Sequence, residues 1–184
     1  MDTHEPAPLG WFKSATRVSG HISLRGDVTL EHLITELPGH KASVTQEAKQ
    51  ALLFARNADL IPLLGRREAP CSVEEIKSDC LLWEAQGSVR SKYGDAVRPF
   101  TLSETIEFLF KAVTEGDIAL LKGKFVFWST AVKSSFGRPS HFGFLGDGKS
   151  AVLDLHFPSE QCGLPFHLAF STADNVQVLV PKKR

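Results

Sequence analysis

The sequence predicts an α+β fold, with an N-terminal strand and three to four helices packed on a C-terminal antiparallel β-meander. Three observations predict it. Helix start and stop signals recur across residues 29–116. From Asp117 onward the chain turns to short β-branched and aromatic runs separated by turn residues. Between two of those runs sits Asp147-Gly148, a favoured dipeptide for a two-residue hairpin turn.

Taken in order, residues 1–10 hold two prolines and little to bury, and read as a loose arm. Val18, Gly20, Ile22 and Leu24 alternate with polar neighbours, which predicts a half-buried strand. Thr29 is placed to cap a helix that Pro38-Gly39 stops. Ser43 with Gln46 has capping-box spacing ahead of an apolar stripe of Ala48, Ala51, Leu52 and Ala55. Ser72 with Glu75 repeats that spacing, predicting a helix that buries Val73, Ile76, Cys80 and Trp83 and ends at Gly87. Residues 88–100 then read as a polar connector. Thr101 with Glu104 opens the clearest helix, with Leu102, Ile106, Leu109, Phe110 and Val113 on its buried face. Strands are expected at 124–132, 142–145, 150–157, 166–172 and 176–180. At 184 residues neither the mainly helical part (11–116) nor the meander (117–184) is long enough for a secure core alone, so 1–184 reads as a single domain.

Composition narrows the function classes. Lys+Arg and Asp+Glu balance at 21 each, so no net field draws nucleic acid or an acidic membrane. Cys71, Cys80 and Cys162 are odd in number, widely spaced and without a C-x-x-C pair, which fits a reducing compartment better than a disulfide framework. The first residues lack a basic-then-apolar secretory pattern, and no apolar run approaches the roughly 20 residues of a spanning helix. The expectation is a cytoplasmic protein.

Gly143-Phe144-Leu145-Gly146-Asp147-Gly148-Lys149-Ser150 matches the phosphate-loop pattern G-x-x-x-x-G-K-[ST]. That chemistry needs a helix after the loop, whose N-terminal amides cradle phosphate. Here Ala151, Leu153, Leu155 and Phe157 instead alternate with Val152, Asp154 and His156, the period of a strand. The hairpin reading therefore wins. Pairing Gly146 with Lys149 puts His141 opposite Asp154, and pairing Phe157 with Phe166 puts His156 opposite His167. His141, Asp154, His156 and His167 then form one patch of zinc- or iron-ligating types, also suited to acid–base chemistry. The competing view is an ordinary polar sheet face in water. Cys162 lies between His156 and His167, but no oxyanion-hole motif accompanies it.

Arg66, Arg67, Arg90, Lys92, Arg98, Lys133 and Arg138 fall in expected loops, some beside aromatics, as in single-strand nucleic-acid binding. Charge balance favours a plain solvated surface. Phe136, Arg138 and Phe142 flank a Gly- and Pro-containing loop and are the expected partner-binding residues. The run 176–180 would invite strand pairing with a second chain if it forms an edge. No cofactor is expected. The leading reading is a non-enzymatic interaction module that recognises another protein or itself, with no enzyme favoured. The alternatives are a metal-dependent enzyme built on the His/Asp patch, and a small viral matrix-type protein that binds membrane and nucleocapsid, for which the terminal Lys182-Lys183-Arg184 is the basic tail.

Overall fold

The computed structural model describes residues 17–58, 67–115, 118–129, 132–134 and 137–172. The chain enters along β1 (Arg17–Leu24) and turns into helix α1 (Leu30–Glu36). Thr29 caps α1: its Oγ1 accepts from the His32 amide at 3.2 Å, while its own N–H donates to His32 Nδ1 at 3.2 Å. A histidine thus takes the part that Glu or Gln usually plays in a capping box. A 3-10 turn at Pro38–His40 ends this unit and leads to β2 (Ala42–Val44) and helix α2 (Gln46–Ala58). The cap of α2 is Thr45, whose Oγ1 accepts from the Ala48 amide at 3.2 Å, because Ser43 is taken up by the β2 ladder. Ala48, Ala51 and Leu52 are buried as expected; the Ala55 side chain lies outside the described part.

Residues 67–76 correct the sequence reading. They form strand β3 (Arg67–Ile76) and not a helix. Cys71 and Val73 face one core while Ser72 and Glu74 face the other side, so period two overrides the chance capping spacing. The helix begins later, as α3 (Leu82–Tyr93), and Gly87 lies within it. Its buried stripe of Leu82, Ala85 and Val89 is narrow, and Trp83 points outward. The supposed connector is therefore half helix; it is followed by a 3-10 turn (Gly94–Ala96) and β4 (Val97–Arg98). Helix α4 (Leu102–Glu115) has its expected capping box: Glu104 N–H donates to Thr101 Oγ1 at 3.2 Å, and Thr101 N–H donates to Glu104 Oε1 at 2.9 Å.

The remaining strands are β5 (Lys122–Phe127), β6 (Val132–Lys133), β7 (Pro139–Asp147), β8 (Ala151–His156) and β9 (Phe166–Thr172). The main path of the sheet runs β1-β3-β9-β5-β7-β8-β2, with β4 on β9 and β6 on β7. The α+β class holds, but the sheet is mixed and is no simple antiparallel meander. β9 lies parallel to β5 and antiparallel to β3, and β2 lies parallel to β8. The connection after β8 carries the chain past β7 and β5 instead of folding back on β8. The N-terminal part, read as mainly helical, supplies four of the strands. The run 176–180 and the arm at 1–10 lie outside the described residues.

Helices pack on both faces. Phe125, Phe127, Phe142, Phe144, Leu153 and Leu155 share a core with Leu30 and Leu33 of α1, Ala48 and Leu52 of α2, and Ile106 and Leu109 of α4. On the other face Val126, Trp128, Phe166, Leu168 and Phe170 pack with Leu82, Ala85 and Val89 of α3. Alternation along β5 and β9 sends successive side chains to the two cores. No helix among the described residues is long and apolar enough to cross a membrane.

Candidate functional site

The turn between β7 and β8 sets the register of everything near it. Gly146 pairs with Ala151 and the Asp147 amide donates to the Ser150 carbonyl at 3.2 Å, so the turn has Gly148-Lys149 at its tip. Asp147 Oδ1 accepts from the Lys149 amide at 2.8 Å and the Ser150 amide at 2.9 Å. This side-chain turn moves the tip one residue on from the expected Asp147-Gly148 and so shifts the pairing of the strands by two residues. It also occupies the amides that a phosphate loop would offer to its ligand. Strand β8, not a helix, follows Ser150.

The slide rearranges the expected patch. His141 lies opposite His156, and Asp154 opposite Gly143. Asp154 Oδ1 accepts from Thr45 Oγ1 at 2.7 Å, tying β8 to the start of α2. His167 is opposite Phe125 in β5, on the other face of the sheet, and its ring stacks on Phe125 with centroids 6.0 Å apart. Thus His141, Asp154 and His156 share a face and His167 does not. Among the described residues no three His, Cys, Asp or Glu side chains stand together so as to hold a metal ion.

What His141 and His156 join is a buried polar network under the edge of α3. His156 is 3% exposed and His141 5%. Glu160 Oε2 stands 2.7 Å from His156 Nδ1 and 3.2 Å from Lys124 Nζ. A carboxylate only accepts, so His156 donates from Nδ1. Lys124 also donates to the Gln161 carbonyl at 2.9 Å. Burial pushes the Glu160 carboxyl up, but the His156 hydrogen bond and the Lys124 ammonium outweigh it and hold the group below its usual range. On the adjoining strand, the Gln86 amide of α3 donates to His141 Nε2 at 3.1 Å, which leaves the ring proton on Nδ1. Burial lowers His141 from 6.5 to about 4; the Ser129 backbone opposes this and His156 adds to it.

His156 Nε2 and His141 Nδ1 are buried without well-formed hydrogen bonds. The His156 ring lies against Gly143. A methyl group built on Gly143 would meet His156 Cδ2 and the Phe125 carbonyl, each at 2.7 Å. Gly143 is therefore what lets the imidazole pack this closely against β7. The arrangement makes two adjacent ties: Lys124, Glu160 and His156 fasten β5, the loop after β8 and β8 to one another, and Gln86 with His141 fastens α3 to β7.

The expected partner-binding residues fare differently. Phe142 is fully buried in the first core, because β7 alternation turns it inward, so it is no surface anchor. Arg138 is exposed, with its guanidinium 5.9 Å from the Phe157 ring centroid. Phe136 lies outside the described residues. The basic residues read as loop cations are partly engaged: Arg90 of α3 stacks over Trp128 at 4.9 Å, Lys92 pairs with Glu74, and Arg98 lies 3.7 Å from buried Glu104.

Sequence reasoning missed Glu160, Lys124 and Gln86 altogether. Only His156 and Glu160, four residues apart, carried a usable signal, and a turn-rich segment hid it. The chain matches no known protein family, and no curated protein or solved structure is detectably similar to it.

Proposed function

We propose that the chain is a non-enzymatic interaction module that recognises the surface of another protein or of a second copy of itself. The observation that carries the reading is on α2. Ala48, Ala51 and Leu52 bury its inner side, while on its outer side Phe54 is 75% exposed beside Leu53 at 43%. A large aromatic with an apolar neighbour on a rigid helix is the usual form of an interface anchor. The network under α3 serves this reading as scaffold: it holds the sheet on which α2 is mounted.

The test is photo-crosslinking from a benzoyl-phenylalanine placed at position 54 in the native host, with exposed position 91 of α3, on the other face of the sheet, as control, beside light scattering of the purified chain. The expected result is a discrete adduct from position 54 only, or a concentration-dependent dimer that Phe54→Ser abolishes. A monomer at all concentrations, with no specific adduct from position 54, sinks the reading.

A further inference from the structure

Cys80 and Cys162 are 82 positions apart in sequence, yet the fold sets them face to face. Leu81 and Gln161 form an antiparallel bridge. One residue outward on each side stand the two cysteines, with the Cys162 amide donating to the Cys80 carbonyl at 2.8 Å. Opposed residues of that kind have Cα atoms about 5.5 Å apart, within the span a disulfide bridges. Cys162 lies in the second core and Cys80 packs against it.

The backbone around the pair is held in place. Leu82 N–H donates to the Glu160 carbonyl at 2.9 Å and Trp83 N–H to the Pro158 carbonyl at 3.0 Å. Asp79 Oδ1 accepts from Gln161 Nε2 at 2.8 Å and from the Gly163 amide at 3.1 Å. The cysteines are thus zipped together by the same segment that carries Glu160 to His156. Cys80 is half-buried and reachable, whereas Cys162 is buried; Cys71 sits in the opposite core.

We propose that Cys80 and Cys162 form a covalent modification site, a dithiol that a small disulfide of the glutathione class oxidises to an internal disulfide. The Cys80 thiolate attacks one sulfur of the oxidised glutathione, forming a mixed disulfide and releasing one glutathione thiolate. Cys162 then gives up its proton and attacks the Cys80 sulfur, releasing the second glutathione thiolate. Two protein thiols are oxidised, one small disulfide is reduced, and the two protons pass to the leaving thiolates. The division of labour follows from position: Cys80 meets the oxidant and Cys162 resolves. Burial raises both thiols, but Cys162, which Cys80 pushes further to about 12, is the less ready of the two, so the more accessible Cys80 reacts first. The product staples the 157–165 connection to the start of α3.

The experiment incubates the reduced full chain with oxidised glutathione, blocks the remaining thiols, and maps peptides by mass spectrometry. Wild type should yield a peptide pair joined at 80 and 162, with Cys71 alkylated only after denaturation. Cys162→Ser should accumulate a stable glutathione adduct on Cys80. Cys80→Ser should form no adduct on Cys162 while folded, as judged by circular dichroism. The melting temperature of oxidised wild type should rise by several degrees. A glutathione adduct that persists on Cys80 of wild type, or a link made with Cys71, overturns the proposal; the wild-type map decides even if a serine variant fails to fold.

Discussion

His141 carries a titration that the whole fold feels. Unfolded, its imidazole titrates near the ordinary value of about 6.5; folded, it does so at about 4. Between those values the unfolded chain binds a proton that the folded chain refuses. Stability must therefore fall as pH drops from 6.5 toward 4, by up to about 3 kcal/mol, and this contribution then levels off. The Glu160 carboxyl, held below its usual range, adds stability that is lost at still lower pH, as the carboxylate is protonated. Chemical denaturation across pH 7 to 4 should show the slope, and His141→Gln, which cannot titrate, should flatten it above pH 4.5. An unchanged slope in the variant would assign the effect elsewhere. Gly143→Ala tests the other side of the same network. The added methyl would press on the His156 ring and the Phe125 carbonyl, and should cost about 1–3 kcal/mol in urea unfolding.

Helix α4 is tied to the turn after β1. Glu107, buried although charged, accepts from the Gly26 amide at 2.6 Å through Oε1 and from the Arg25 amide at 3.1 Å through Oε2. Glu107→Ala leaves those donors without their acceptor and should lower stability by about 2–3 kcal/mol, with Glu107→Gln losing less; thermal melts rank the three chains. At this scale the sequence was legible where local signals agreed. Thr101 and Glu104 mark α4, and the alternation in 166–172 marks β9 to the residue. It misled at Ser72 and Glu75, whose helical spacing is accidental: Ser72 and Glu74 face one side of β3, and Cys71, Val73 and Glu75 the other. It misplaced α3, starting the helix ten residues early at Ser72 and ending it at Gly87, because the true buried stripe of Leu82, Ala85 and Val89 is too narrow to stand out. The polar network was hidden for a related reason. It depends on a two-residue slide caused by the Asp147 side chain, and on a connection whose destination no periodicity encodes.

On the scale of the whole molecule, the placement of β9 is decisive. Its side chains enter both cores, with Ala169 in one and Phe166, Leu168 and Phe170 in the other, while its backbone pairs with β3 and β5. A chain ending before Phe166 loses a central strand, not an edge. It should show no cooperative melt and should aggregate, as followed by circular dichroism and light scattering. A truncated chain that melts sharply would contradict this account of the sheet.

That placement also orders events during synthesis. The β1–β3 pair and the β5–β7–β8 sheet can each assemble from chain already made, but each keeps one bare strand edge turned toward the other. Neither edge is satisfied until residues 166–172 have left the ribosome, more than 80 residues after β3 was finished. During that interval the nascent chain is a template for wrong pairings and a client for holding chaperones. Slowing translation between β8 and β9 would lengthen the exposure and lower the yield of folded protein.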